Sequence, residues 1–232
     1  MSPHSSLLTP PGFFITGTDT GVGKTLTACG FLHALCVQGK TAIGMKPVAT
    51  GCAKTAEGLI SDDALQLQAA STRRLPMRAV NPYAFEPPIA PHIAAEKAGE
   101  RIELDRIVSA YLELAKAADA VIVEGIGGFR VPLNEKEDLA DLAAKLKLPV
   151  VLVVGIRLGC LSHALLTVDA IAGRELDLAG WIANEIEPGM ATFGENVAAL
   201  KERIRRPCLA VVAHGAKPEA IAQSLHPGIG NL

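Results

Sequence analysis

Gly17-Thr18-Asp19-Thr20-Gly21-Val22-Gly23-Lys24-Thr25 is the stretch from which the rest of this chain is read. It follows the apolar run Phe13-Phe14-Ile15 and precedes a helical pattern. A strand that empties into a glycine-rich turn and then a helix makes a cradle for phosphate. Backbone N–H groups line such a turn, and the helix offers the positive end of its dipole. Gly21 and Gly23 let the backbone come close to phosphate, Lys24 supplies a point charge toward β- and γ-phosphates, and the Thr25 hydroxyl is placed for a magnesium ion. The spacing departs from the strict pattern G-x-x-x-x-G-K-S/T, because five residues separate Gly17 from Gly23 and Thr18 stands where the first glycine is expected. The loop is therefore a variant cradle. A turn that merely joins strand to helix has no need of Gly-Lys-Thr at the junction.

A chain of 232 residues suits one α/β domain with a sizeable core. We expect that domain over 12–232, with 1–11 as a flexible N-terminal tail containing Ser5, Ser6, Thr9 and three prolines. The tail lacks the cationic start and apolar run of a signal peptide. Small apolar residues dominate and aromatics are few, as when helices lie flat on a parallel sheet. A net charge of −2 gives no basic field for nucleic acid or an anionic membrane, and apolar runs such as Val150–Val154 are too short to span a bilayer. Small molecules are the expected partners. Five cysteines without C-x-x-C pairing and six scattered histidines indicate neither a disulfide framework nor a zinc site, which fits a reducing cytoplasm.

Along the chain, Lys24–Gln38 carries apolar residues at helical spacing and stops at Gly39. Thr41–Met45 is a short apolar segment that ends in Lys46-Pro47-Val48-Ala49-Thr50-Gly51. In a doubly wound sheet the carboxyl ends of strands form the ligand crevice, so Lys46 and Thr50 are expected beside the phosphate loop. Lys54–Leu59 is polar and expected to be mobile. Ser61 can cap a helix through Ala70, where Asp62 and Asp63 have a structural explanation as first-turn acids that favour the helix dipole. The proline-rich segment Arg73–Pro91 is expected to cross the surface irregularly, and Leu104–Ala118 to be helical. Next, Ala120-Val121-Ile122-Val123-Glu124 reads as a buried strand that brings a carboxylate to a glycine loop, Gly125-Ile126-Gly127-Gly128. Asp138–Leu146 is a short helix and Pro149–Val154 a further buried strand. Gly159-Cys160-Leu161-Ser162 opens a helix through Ala172, with Ser162 a helix cap or, with the N–H groups around Cys160 and Leu161, a carboxylate site. A strand over Asp177–Ala183 ends at Asn184, followed by helix Thr192–Ile204, strand Leu209–Val212 and helix Pro218–Leu225. The expected architecture is a doubly wound, mainly parallel sheet with helices on both faces.

Taken in order, these motifs resemble the dethiobiotin synthetase family of the P-loop NTPase superfamily. Carrying the resemblance are the phosphate loop, Lys46-Pro47-Val48-Ala49-Thr50-Gly51, Ser61-Asp62-Asp63-Ala64-Leu65, Asn81-Pro82-Tyr83, Pro91-His92, Val123-Glu124-Gly125-Ile126-Gly127-Gly128, Val153–Cys160 and Ala183-Asn184. The resemblance implies an ATP- and magnesium-dependent ring closure of 7,8-diaminononanoate with carbon dioxide, through a carbamate and a carbamic-phosphoric anhydride. It implies Lys24, Lys46 and Thr20 as catalytic groups, and Thr25, Asp63 and Glu124 around magnesium. It further implies that Asp19, Thr20, Gly21, Val22, Gly23, Lys24, Thr25, Glu124 and Asn184 bind nucleotide, with Asn184 on adenine. Thr50, Gly127, Gly128, Cys160, Leu161 and Ser162 would bind substrate. The resemblance also implies a homodimer in which the Gly159–Ser162 helix start of one subunit holds the carboxylate tail of substrate bound to the other.

This chain departs from the family pattern at Gly21, where some members carry a glutamate, and at Arg157 and Ser162, where Lys and Asn are familiar. Past Asn184 the resemblance fades, and Leu209–His214 lacks the Gly-x-x-Pro turn expected there. A competing reading is a switch-type ATPase that controls membrane or partner binding, but its signature lysine position is occupied by Asp19.

Overall fold

The apolar run ahead of the glycine-rich turn becomes β1 (Gly12–Gly17), buried along its whole length, and the turn passes directly into α1 (Lys24–Val37). The computed structural model describes residues 12–225, so the expected tail over 1–11 lies outside the described residues. The chain continues through β2 (Ala42–Met45), β3 (Val48–Ala49), β4 (Ala53–Thr55), β5 (Gly58–Ile60), α2 (Asp62–Ala70), α3 (Met77–Val80), β6 (Tyr83–Ala84), α4 (Pro91–Lys97) and α5 (Leu104–Ala115). Then come β7 (Ala120–Glu124), α6 (Leu139–Leu146), β8 (Val150–Ile156), α7 (Cys160–Ala172), β9 (Leu178–Glu185), α8 (Phe193–Arg203), β10 (Cys208–Val212) and α9 (Pro218–Leu225).

Six strands form one sheet in the order β10-β9-β8-β1-β7-β2, every adjacent pair parallel. Alternation along each strand divides the core into two layers. Phe14, Met45, Val121, Val123, Leu152 and Val154 pack with residues of α5, α6, α7 and α8 on one face. Phe13, Ile15, Ile122, Val151, Val153 and Ile182 pack with α1, α2 and α9 on the other. Chain order reverses at β1, which has β7 on one side and β8 on the other, and such a switch point opens a crevice at the carboxyl ends of the strands. The register aligns those ends: Ile15 lies opposite Glu124, and Met45 opposite Val123. The residues that follow β1, β2 and β7 therefore emerge side by side.

Two segments depart from expectation. The polar stretch 53–60 is an exposed antiparallel hairpin, because Thr55 and Gly58 supply its turn: Thr55 Oγ1 donates to the Gly58 carbonyl at 2.9 Å and accepts from Glu57 N at 3.1 Å. The proline-rich segment does not simply cross the surface. It contains α3, β6 and the start of α4, it buries Val80, Asn81, Tyr83 and Phe85, and β6 pairs in parallel with β3. Proline removes only its own N–H, and Tyr83 and Phe85 remain free to donate to the carbonyls of Pro47 and Ala49 at 3.2 and 2.9 Å. The helix expected to reach Ala118 ends at Ala115, and the strand expected to end at Val154 continues to Ile156.

Candidate active site

Gly23 shows why the loop needs glycine. It is the N-cap of α1 with φ 95°, a left-handed conformation, and a Cβ there would lie 2.3 Å from Asn184 Nδ2. That Asn184 amide, nearly buried on β9, donates to the Val22 carbonyl at 2.8 Å and so holds the loop from the neighbouring strand. The family resemblance implies Asn184 on adenine, whereas here one of its donors is already committed to the phosphate loop.

Below the loop, Thr20, Gly21, Gly23, Lys24, Thr25, Lys46, Thr50, Asp63, Glu124, Ile126 and Gly127 surround a cavity of about 370 Å³. Lys24 leaves the first turn of α1 and folds back to donate to the Asp19 carbonyl at 2.8 Å. Burial, reinforced by the nearby Lys46 ammonium and only partly opposed by Glu124, Asp63 and Asp19, lowers its pKa to about 8. Lys46 follows β2 directly and is 3% exposed. Its ammonium lies 2.6 Å from Glu124 Oε1 and 2.8 Å from Asp63 Oδ2, and it donates to the Gly125 carbonyl at 3.0 Å. Burial alone would lower this lysine's pKa. The two carboxylates more than offset it and hold Lys46 as a cation above its ordinary pKa.

Thr25 Oγ1 stands 2.9 Å from both Asp63 Oδ1 and Glu124 Oε1. Burial pushes the Glu124 carboxyl up, with Asp63 adding to the shift and Lys46 opposing it. At Asp63 burial is the largest single influence and pushes the carboxyl up, but Lys46, the Thr25 hydroxyl and Lys24 together more than offset it, and the pKa falls below the usual carboxylate range. Glu124 Oε2 is buried with no hydrogen-bond partner. Two carboxylates and a hydroxyl are hard oxygen donors of the kind magnesium prefers, and an orphaned buried carboxylate oxygen gives a further ligand atom. The residues present thus fit a magnesium ion. Among the described residues, no group of three or more His, Cys, Asp and Glu side chains could hold a metal by itself.

Other expected site residues lie apart. Gly128 and Asp19 line an adjoining cavity with Phe129, Arg130, Val131, His163 and Leu166. None of Cys160, Leu161 and Ser162 reaches the cavity around Lys46. Ser162 does not cap α7, because Gly159 with φ 90° occupies the cap position and Ser162 falls inside the first turn. The Cys160 side chain is buried, and its N–H is already taken by the Arg157 carbonyl at 3.0 Å. Arg157 itself pairs with Asp19 Oδ2 at 2.7 Å, while Asp19 Oδ1 accepts from Thr20 N at the same distance. Two residues outside the expected site also hold Lys46: Gly125, signalled by the glycine loop, accepts from its ammonium, and Asn81, in the Asn81-Pro82-Tyr83 motif, donates to its carbonyl.

Residues 11–219 match the model of a family described as an AAA domain. The chain is 54% identical over 222 residues to the ATP-dependent dethiobiotin synthetase BioD of Aromatoleum aromaticum, covering 94% of this chain and 99% of that one. It is 53% identical over 209 residues to the protein of the same name from Nitrosospira multiformis, covering 90% and 91%. Among solved structures, a ParA family ATPase from Chlorobium tepidum TLS superposes with a TM-score of 0.54 over 96% of this chain and 98% of that one. The MinC:MinD cell division complex of Aquifex aeolicus gives 0.58 over 95% and 96%. Both are 13% identical, which establishes a shared fold and nothing more.

Proposed function

The chain belongs to the family of ATP-dependent dethiobiotin synthetases of biotin biosynthesis, and from that premise we propose that the Lys24–Lys46–Asp63–Glu124 cluster transfers the γ-phosphoryl group of ATP to a substrate carbamate. The supporting observation is the convergence of two lysines, two carboxylates and the Thr25 hydroxyl at the mouth of the phosphate cradle.

One amine of 7,8-diaminononanoate combines with carbon dioxide to give a carbamate and a proton. A carbamate oxygen attacks the γ-phosphorus, and the bond to the ADP oxygen breaks. The second amine then adds to the carbamate carbon, phosphate leaves with that same oxygen, and the amine loses its proton as the ring closes. Phosphoryl transfer asks chiefly for alignment and charge neutralisation. Lys24 meets the phosphates at the helix start. Lys46, held cationic, balances the charge shared by carbamate and γ-phosphate, while Thr20 and Thr50 orient their oxygens. Thr25, Asp63 and Glu124 would hold magnesium, which when bound supplies neutralisation of the phosphate oxygens. Asn184 reaches adenine with the amide valences that Val22 leaves free.

We further propose a homodimer. Gly159–Ser162 does not line the Lys46 cavity of its own chain, and Leu158 and Leu166 beside it are 91% and 65% exposed, which supports substrate-tail binding across a subunit interface. Among the described residues all five cysteines are free thiols and no helix is long and apolar enough to cross a membrane, which supports a cytoplasmic enzyme. The reading is tested by ADP release from MgATP with and without the diamine acid, in bicarbonate buffer and in carbon-dioxide-free buffer. Release that requires both co-substrates is the expected result. Release indifferent to both would replace this reading with a switch-type ATPase.

A further inference from the structure

Lys46 is gripped through its main chain as well as its ammonium. Its N–H donates to the Val80 carbonyl at 2.9 Å, and its own carbonyl accepts from Asn81 Nδ2 at 2.7 Å. The same Nδ2 donates to the Tyr83 carbonyl at 2.9 Å, so one amide group ties the Lys46 backbone to the strand that follows. Asn81 is 5% exposed, and its Oδ1 is buried without a partner. The side chain is thus held by its donors alone. Pairing of two donor hydrogens with two carbonyls fixes the orientation of the amide.

What lies behind Asn81 is firm. Its N–H donates to the Met77 carbonyl at 2.7 Å at the end of α3. The Arg106 guanidinium on α5 sits 4.4 Å above the Tyr83 ring and donates to the Pro82 carbonyl at 3.0 Å. Glu103 N donates to the Tyr83 hydroxyl at 2.9 Å. Beyond β3 and β6 the ladder runs on to the far end of the Lys46–Cys52 stretch, where Gly51 N and Cys52 N donate to the Pro87 and Phe85 carbonyls at 3.3 and 3.0 Å. The whole stretch from Lys46 past Thr50 is therefore mounted on the proline-rich segment. Among the described residues, Asn81 is the side chain of that segment that hydrogen-bonds to the Lys46 main chain.

We propose that Asn81 is a positioning residue for phosphoryl transfer, setting the Lys46 main chain so that the ammonium meets the transferring group. The inference rests on the role of Lys46 given above. Since Asn81 touches neither cavity nor phosphate loop, its loss alters the chemical step and leaves nucleotide binding in place.

Asn81→Ala, Asn81→Ser, Lys46→Ala and Tyr83→Phe in the full-length chain test it. Turnover with MgATP, diamine acid and bicarbonate is normalised to MgATP-binding sites counted by calorimetry, and melting temperature is read for each. Tyr83→Phe removes a hydroxyl from the same segment while leaving both Asn81 bonds, so it reports what loss of stability alone does to turnover. The expected result is a fall in kcat per site of about 10- to 100-fold for Asn81→Ala, since displacements of about 1 Å cost that much. A smaller fall is expected for Asn81→Ser, with MgATP affinity unchanged in both and with kcat unchanged for Tyr83→Phe. Wild-type kcat per site in Asn81→Ala, or an equal fall in Tyr83→Phe at the same loss of melting temperature, overturns the proposal. So does failure of both Asn81 variants to give protein that binds MgATP, which would make Asn81 a folding determinant. Full activity in Lys46→Ala would instead overturn the role given to the lysine.

Discussion

Two lysines meet at one cavity, and their surroundings separate them. Lys46 sits against two carboxylates and stays charged, whereas Lys24 has a backbone carbonyl for its nearest partner and a depressed pKa of about 8. Bound phosphate favours the charged form of Lys24, so the complex has the higher pKa and binding takes up a proton above pH 8. The affinity for ATP should be flat below pH 8 and fall above it, by up to about tenfold per pH unit. Calorimetry at pH 8.5 in buffers of different ionisation enthalpy reads the proton directly; binding without uptake there would contradict the depressed pKa. For Lys46→Ala we expect kcat to fall about a hundred- to a thousandfold, the loss typical of one preorganised charge-stabilising group, with MgATP affinity largely kept. At this scale the sequence was legible where residue type and chemistry coincide: Gly-Lys-Thr after a strand and Glu124 before a glycine loop. Asn184 was less so, because its bond to Val22 joins residues 162 positions apart and leaves no local signal. Asp63 by its own sequence pattern is a first-turn acid; the family resemblance implies its place at magnesium, and the structure adds its contacts with Lys46 and Thr25.

The elements explain how those contacts are held. Helix α2 carries Asp63, and it lies on β2 at Gly44, where an added Cβ would sit 2.8 Å from the Leu67 Cβ and 3.0 Å from Leu32 Cδ1. Ser71 at the end of α2 accepts from Gly44 N at 2.9 Å, which fixes the helix along the strand. Gly44→Ala should cost about 1–3 kcal/mol by overpacking and raise the magnesium concentration needed for turnover, since α2 must back away from the sheet. Urea unfolding and a magnesium titration of activity check both parts, and a variant with unaltered stability would mean that Leu67 can move without cost. Continuous apolar runs bounded by turn residues made the buried strands readable, and apolar residues at helical spacing made α5 so. The proline-rich segment was not, because its strand has only two residues and pairs with a partner 35 positions away in the chain. Prolines announced that regular structure would be interrupted, yet not that the interruption would be buried.

At the scale of the molecule, parallel strands ending in register put three separate stretches of sequence at one edge of the sheet. Of the expected site residues outside the cavity around Lys46, Gly128 and Asp19 line the adjoining one, and the start of α7 is the group for which the homodimer is proposed. Sedimentation should give a dimer for the wild-type chain and a monomer for Leu158→Asp, the latter with a raised KM for the diamine acid and unchanged MgATP affinity. A fully active wild-type monomer would contradict the shared site. No sequence pattern within one chain describes a surface that a second copy completes, which is why the resemblance, and not periodicity, suggested it. The measurement that reaches the chemistry most directly is the fate of the carbon dioxide oxygen. With bicarbonate enriched in oxygen-18, attack of carbamate on the γ-phosphorus leaves one heavy oxygen in each phosphate released, read by mass spectrometry at the enrichment of the carbon dioxide pool. Phosphate whose new oxygen comes from water would show that this cluster hydrolyses ATP and does not transfer its phosphoryl group to a carbamate.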